Sequence, residues 1–148
     1  MIEVLVAYLH FLSIILTAAF LMSELVVCRQ GIGEREIRRL GGLDIAFFAA
    51  AMAALATGLL RVFFYGKGLG FYLPNPFFQA KLALYVLIAV LSIRPTLRFV
   101  RWRRIVAGGG APPSAAEVAA VRRVLHLELA LFALMPLMAV LMARGIGL

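Results

Sequence analysis

The sequence contains one cysteine, Cys28, and two histidines, His10 and His126, among 148 residues. A single thiol excludes an internal disulfide and leaves the compartment unread. So few thiol and imidazole groups also argue against a dedicated zinc or copper cage, which prefers several His or Cys ligands together. Charge is scarce: 15% of residues are Asp, Glu, Lys or Arg, where a soluble domain carries roughly a quarter. Acidic groups are scarcer still, seven against fifteen basic ones. There is no phosphate-cradling glycine loop, Gly-x-Ser-x-Gly elbow, His-Glu-x-x-His helix or kinase signature. The run GKGLG before an aromatic stretch reads as a flexible loop. No internal repeat or second domain is evident.

What remains is apolar. Hydrophobic residues make up 64% of the chain and the mean hydropathy is +1.02. A chain this small has too little interior to hide that excess, so lipid is the implied solvent. A membrane-crossing helix needs about 20 mostly apolar residues, which leaves room for four. The spans are read as about Val4 to Val27, Ile45 to Phe64, Phe77 to Val100 and Ala115 to Ala143. The expected fold is all-α: a polytopic, four-transmembrane-helix bundle forming a single domain in the lipid bilayer.

A net charge of +8 in a soluble protein would suggest nucleic acid. Here the basic residues crowd into two connections instead. The first carries Arg29, Arg35, Arg38 and Arg39, and the third Arg98, Arg101, Arg103 and Arg104. The middle connection has only Lys67. The positive-inside rule then puts both basic loops in the cytoplasm and both termini outside, in a bacterial inner membrane with no nucleic-acid partner. The first apolar run opens with Glu3 and no basic segment, and it is long for a signal peptide. It reads as a retained helix.

Local signals punctuate the spans. Arg29, Gly31 and Gly33 end the first, and Gly41, Gly42 and Asp44 introduce the second. The alanine-rich AFFAAAMAALATG suggests close helix packing, within one bundle or between subunits of a homo-oligomer. Tyr65, Phe71, Tyr72, Phe77 and Phe78 resemble an interfacial aromatic belt. Asn75 and Pro76 form an N-cap and first-turn pair. Pro95 is expected to kink the third span. Ser114 and Glu117 form a capping box that starts the last helix near Ala115, and Gly145 stops it.

Ionisable residues within spans are expensive, so they face the bundle interior and mark functional sites. His10, Ser13, Thr17 and Glu24 lie on one helical stripe, as do Asp44, Ala51, Ala54, Gly58 and Arg61. Lys81, Tyr85, Ser92 and Pro95 share a face of the third span, and Glu128, Met135 and Met142 one of the fourth. By depth they form two groups. The outer half holds His10, Arg61, Lys81 and Arg144, with Lys67 above them. The inner half holds Glu24, Asp44, Arg94, His126 and Glu128, with Arg122 and Arg123 beside them. For the inner group a structural role suffices: Asp44 as an N-cap, and Glu128 paired with Arg122, Arg123 or Arg94. The outer group would place three cations together with no carboxylate except Glu3. Haem needs one or two axial ligands and cations for its propionates. His10 and His126 cannot share one haem, being roughly 15–20 Å apart along the normal by helix rise.

The stretches AYLHFLS, GLLRVFFYGKG, FFQAKLAL, LSIRPT and MPLMAVLMARGIG resemble an uncharacterised bacterial family of four-helix membrane proteins. His10 in the first helix, Lys81 opening the third and the Arg-rich start of the fourth distantly resemble the HemJ-type protoporphyrinogen oxidases and related small haem and copper membrane proteins. That resemblance implies haem b bound through His10 and Lys81. In the fourth helix those oxidases show Arg followed by an Asn-Glu pair, whereas this chain reads RRVLHLELA. Only Arg123 and Glu128 correspond, at altered spacing.

Two functional expectations follow. One is a haem- or porphyrin-binding oxidoreductase in electron transfer or porphyrinogen oxidation. In it His10 is the metal ligand, Lys81 a second ligand or charged partner, and Arg61, Lys67 or Arg144 the propionate partners. The other is a cofactor-free structural or accessory subunit whose polar residues lock the bundle.

Overall fold

The computed structural model describes residues 1–146. Helix α1 spans Ile2–Val27 and α2 spans Glu34–Leu60, running on into a π-helical turn at Arg61–Tyr65. A short α3, Leu69–Tyr72, precedes α4, Pro76–Ala107, and α5, Ala115–Ala143. Among the described residues there is no strand. The four long helices are long and apolar enough to cross a membrane. Each packs on two others in the cyclic order α1, α2, α4, α5, with α1–α2 and α4–α5 the most extensive pairs. The architecture is a four-helix transmembrane bundle.

Its polarity is that of a protein dissolved in lipid. Phe11, Ile15 and Val26 of α1, Ile45 and Phe48 of α2, Val90 and Leu97 of α4, and Leu137 and Val140 of α5 are all exposed. The buried stripe of α1 includes His10, Ser13, Thr17 and Glu24, the polar residues whose periodicity marked them as inward-facing. The alanines of α2 divide between two faces. Ala50 is buried and Ala54 half-buried, whereas Ala49, Ala53 and Ala56 are exposed.

Helix caps account for most boundaries. Asn75 Oδ1 accepts from the backbone N–H groups of Phe77 at 2.9 Å and Phe78 at 3.3 Å, with Pro76 in the first turn. Ser114 Oγ accepts from Glu117 N–H at 3.3 Å, and Glu117 Oε2 accepts from Ser114 N–H at 3.1 Å, so α5 begins at Ala115 as its capping box predicts. Gly145 takes a φ of +70° just past α5, a conformation glycine adopts without strain.

Two expectations need correction. Helix α2 begins at Glu34 rather than near Ile45, because Glu36 Oε2 accepts from Gly33 N–H at 3.0 Å and caps it there. Ile37 and Leu40 are buried in its first turns, and that packing carries the helix through Gly41 and Gly42. Asp44 is therefore not an N-cap. Its Oδ1 accepts from Thr96 Oγ1 at 2.8 Å, joining α2 to α4. Helix α4, with Pro95 inside it as expected, likewise runs beyond Val100 to Ala107.

The packing is uneven along the bundle. Leu21, Ile37, Leu40, Phe99, Trp102, Val118 and Leu125 form a tight apolar core at the end carrying the two arginine-rich connections. The opposite end, which carries the termini and the middle connection, is hollow.

Candidate functional site: a cavity between the helices

The hollow is a cavity of about 330 Å³ lined by all four long helices. Helix α1 contributes His10 and Thr17, and α2 contributes Ala54 and Gly58, followed by Arg61 from the π-helical turn. Lys81 and Tyr85 come from α4, and Met135 and Met142 from α5. Most of the remaining wall is apolar, and it contains no carboxylate. The volume lies at the lower end of small-molecule sites, which run from about 300 to 1,000 Å³.

His10 is 7% exposed and pinned by α2. Its Nδ1 lies 3.0 Å from the Ala54 carbonyl oxygen and 3.1 Å from Thr57 Oγ1. Thr57 already donates its hydroxyl proton to the Ala53 carbonyl at 2.6 Å. A carbonyl can only accept, so Nδ1 carries the hydrogen and donates it to Ala54. In neutral imidazole this leaves the lone pair on Nε2, which has no protein partner among the described residues. Metal-bound histidines are held in the same way, by donation from the second ring nitrogen to a carbonyl. Gly58 makes room for the ring: a Cβ there would sit 3.0 Å from His10 Cε1.

The cations are less constrained. Arg61 is half-buried with its guanidinium 5.5 Å from the centre of the Phe11 ring. Lys81 is half-buried beside the cavity, and neither forms an ion pair among the described residues. Tyr85 donates its hydroxyl to the Ala51 carbonyl at 3.0 Å and ties α4 to α2. The hydroxyls of Ser13 and Thr17 donate back into α1, each at 2.7 Å.

The structure thus brings together His10, Arg61 and Lys81, and leaves Lys67 and Arg144 outside the lining. The loop after the π-helical turn carries Lys67 away, with its Nζ 4.3 Å from the centre of the Phe71 ring. Arg144 is exposed at the C-cap of α5. His126 is at the arginine-rich end, exposed and 2.7 Å from its own helix carbonyl at Arg122. Sequence reasoning missed Thr57, one residue before Gly58 of the inward stripe, and Tyr72, which helps line the cavity from α3. It also missed the π-helical turn, a feature that often marks functional sites.

Four membrane-crossing helices around a mostly apolar cavity with a few polar groups define an all-α polytopic membrane protein. The chain belongs to the family described as "predicted membrane protein (DUF2214)", whose model it matches over residues 2–147. No curated protein and no solved structure matches it. The family match agrees with the expected membrane-protein family and lends no support to the HemJ resemblance.

Proposed function

We propose that the chain binds haem b in this cavity, with His10 as an axial ligand, and serves a membrane redox reaction. The observation that carries the reading is the state of His10. Its Nδ1–H is fixed on the Ala54 carbonyl, and Nε2 is left for a metal beside two cations that form no ion pair among the described residues. Haem answers both needs, since its iron takes a neutral imidazole and its propionates are anionic. Arg61 is the propionate partner of choice, and Lys81 is a second ligand or a further cation. Bound haem would supply one-electron chemistry; porphyrinogen oxidation rests on the HemJ resemblance alone. The small volume requires the walls to part around a macrocycle.

A cofactor-free bundle is the second reading. It is favoured by the bond from His10 to Ala54, which by itself ties α1 to α2. An absorption spectrum of protein purified from haem-sufficient cells separates the two. The first reading predicts the bands of a b-type haem. Folded, stable protein without them leaves the second.

The arginine-rich connections support a cytoplasmic placement for that end, with both termini and the cavity at the outer face of a bacterial inner membrane. With Cys28 replaced by Ser, an impermeant thiol reagent on intact cells should label Gly70→Cys and spare Ala111→Cys. The opposite labelling would invert the orientation.

A further inference from the structure

Three acidic side chains lie within the span near the tightly packed core. Glu24 of α1 and Glu128 of α5 are each 1% exposed. Both are within Coulombic reach of Asp44 of α2, and Glu24 is also within reach of Glu128. The Oε1 atoms of Glu24 and Glu128 are fully buried and have no hydrogen-bond partner among the described residues.

Nothing cationic answers them. Among the described residues, the ion pairs are Arg38–Glu34 and Arg98–Glu117, both exposed and elsewhere. Arg122 of α5 directs Nη1 to the carbonyl oxygens of Leu25 and Cys28. Arg94, Arg123 and His126 are exposed. Helix α4 presents the hydroxyls of Ser92 and Thr96 and, in Trp102, a buried indole N–H that has no partner among the described residues. Thr96 donates to Asp44, and Ser92, beside Glu128, donates to the Ile88 carbonyl at 2.8 Å. Cys28, near Glu24, is a buried free thiol. Among the described residues no three His, Cys, Asp or Glu side chains are arranged to hold a metal, and the cavity does not reach either glutamate.

Carboxylates that feel one another in low dielectric, without counter-ions among the described residues, cannot all be charged, because mutual repulsion adds to the loss of hydration. A proton on a carboxyl oxygen removes the conflict, since it cancels one charge without needing a counter-ion. We propose that Glu24 and Glu128, with Asp44 beside them, form an intramembrane proton-binding site. The ligand is H⁺, held on carboxyl oxygens that the fold leaves unpartnered and released by breaking an O–H bond to a water or base. Leu40, Phe99 and Trp102 close the arginine-rich side. On the other side, Phe132 lines the cavity one turn from Glu128, and Thr17 lines it two turns from Glu24. The exchange route therefore leads through the cavity, whatever that cavity binds.

Infrared spectroscopy of the full-length protein in liposomes tests this directly. At about pH 7, where exposed carboxyl groups are ionised, the wild type should show the C=O stretch of protonated carboxyl, shifted in heavy water. The band should weaken in Glu24→Gln or Glu128→Gln and fall further in the double variant, with helix content retained. Absence of the band in the wild type, or a band that both substitutions leave unchanged, would overturn the site. Should the double variant fail to fold, the wild-type titration decides. A band that persists to neutral pH supports the site, and one gone by about pH 6 contradicts it, as free carboxyls have ionised by then.

Discussion

At the scale of single residues, the cavity depends on a close fit between His10 and Gly58. An alanine at an open helical position would stabilise by about 1 kcal/mol relative to glycine. Here the added methyl meets His10 Cε1 at 3.0 Å, so the ring must give by a few tenths of an ångström against its bond to Ala54. Overpacking of this kind costs about 1–3 kcal/mol, so the steric term wins. Gly58→Ala should therefore lower the melting temperature and weaken haem retention by roughly tenfold, equivalent to about 1.4 kcal/mol. Thermal unfolding and competitive haem extraction would show both effects. Unchanged stability with unchanged retention would mean that the ring is not confined as described. His10, Arg61 and Lys81 were legible in sequence because an ionisable group in a span has few tolerable positions. Thr57 was not, since a hydroxyl can bond its own helix anywhere and carries no such signal.

At the scale of elements, legibility followed the caps. Ser114, Glu117 and Asn75 act within three residues of themselves, so their spacing alone places the starts of α5 and α4. The start of α2 was misplaced because Gly41, Gly42 and Asp44 resemble a break followed by a cap. The deciding interactions are the Gly33–Glu36 bond and the burial of Ile37 and Leu40, and that burial exists only once the partner helices are in place. The π-helical turn at Arg61–Tyr65 has no sequence signature of this kind. It ends at Gly66, where a Cβ would lie 2.3 Å from the Arg61 carbonyl oxygen and 2.6 Å from the Tyr72 hydroxyl. A backbone turn tight enough to demand glycine is thus coupled to the placement of Arg61 at the cavity.

At the scale of the molecule, the two ends differ in a way that hydropathy does not record. Both halves of the spans are apolar, yet one end is packed with Phe99, Trp102 and leucines, while the other leaves about 330 Å³ open. Small residues facing inward, Ala51, Ala54, Gly58 and Ala139, keep that end from filling. Sequence periodicity can show which face they occupy but not whether the helices close over them. The polar groups divide accordingly, cations around the cavity and carboxylates beneath it. The proposed role of His10 as ligand of a haem in the cavity is decided by the absorption spectra of two purified variants. His10→Ala should lose the haem bands while remaining folded, and His126→Ala, exposed at the other end, should keep them. Bands that survive His10→Ala, or disappear with His126→Ala alone, would contradict it.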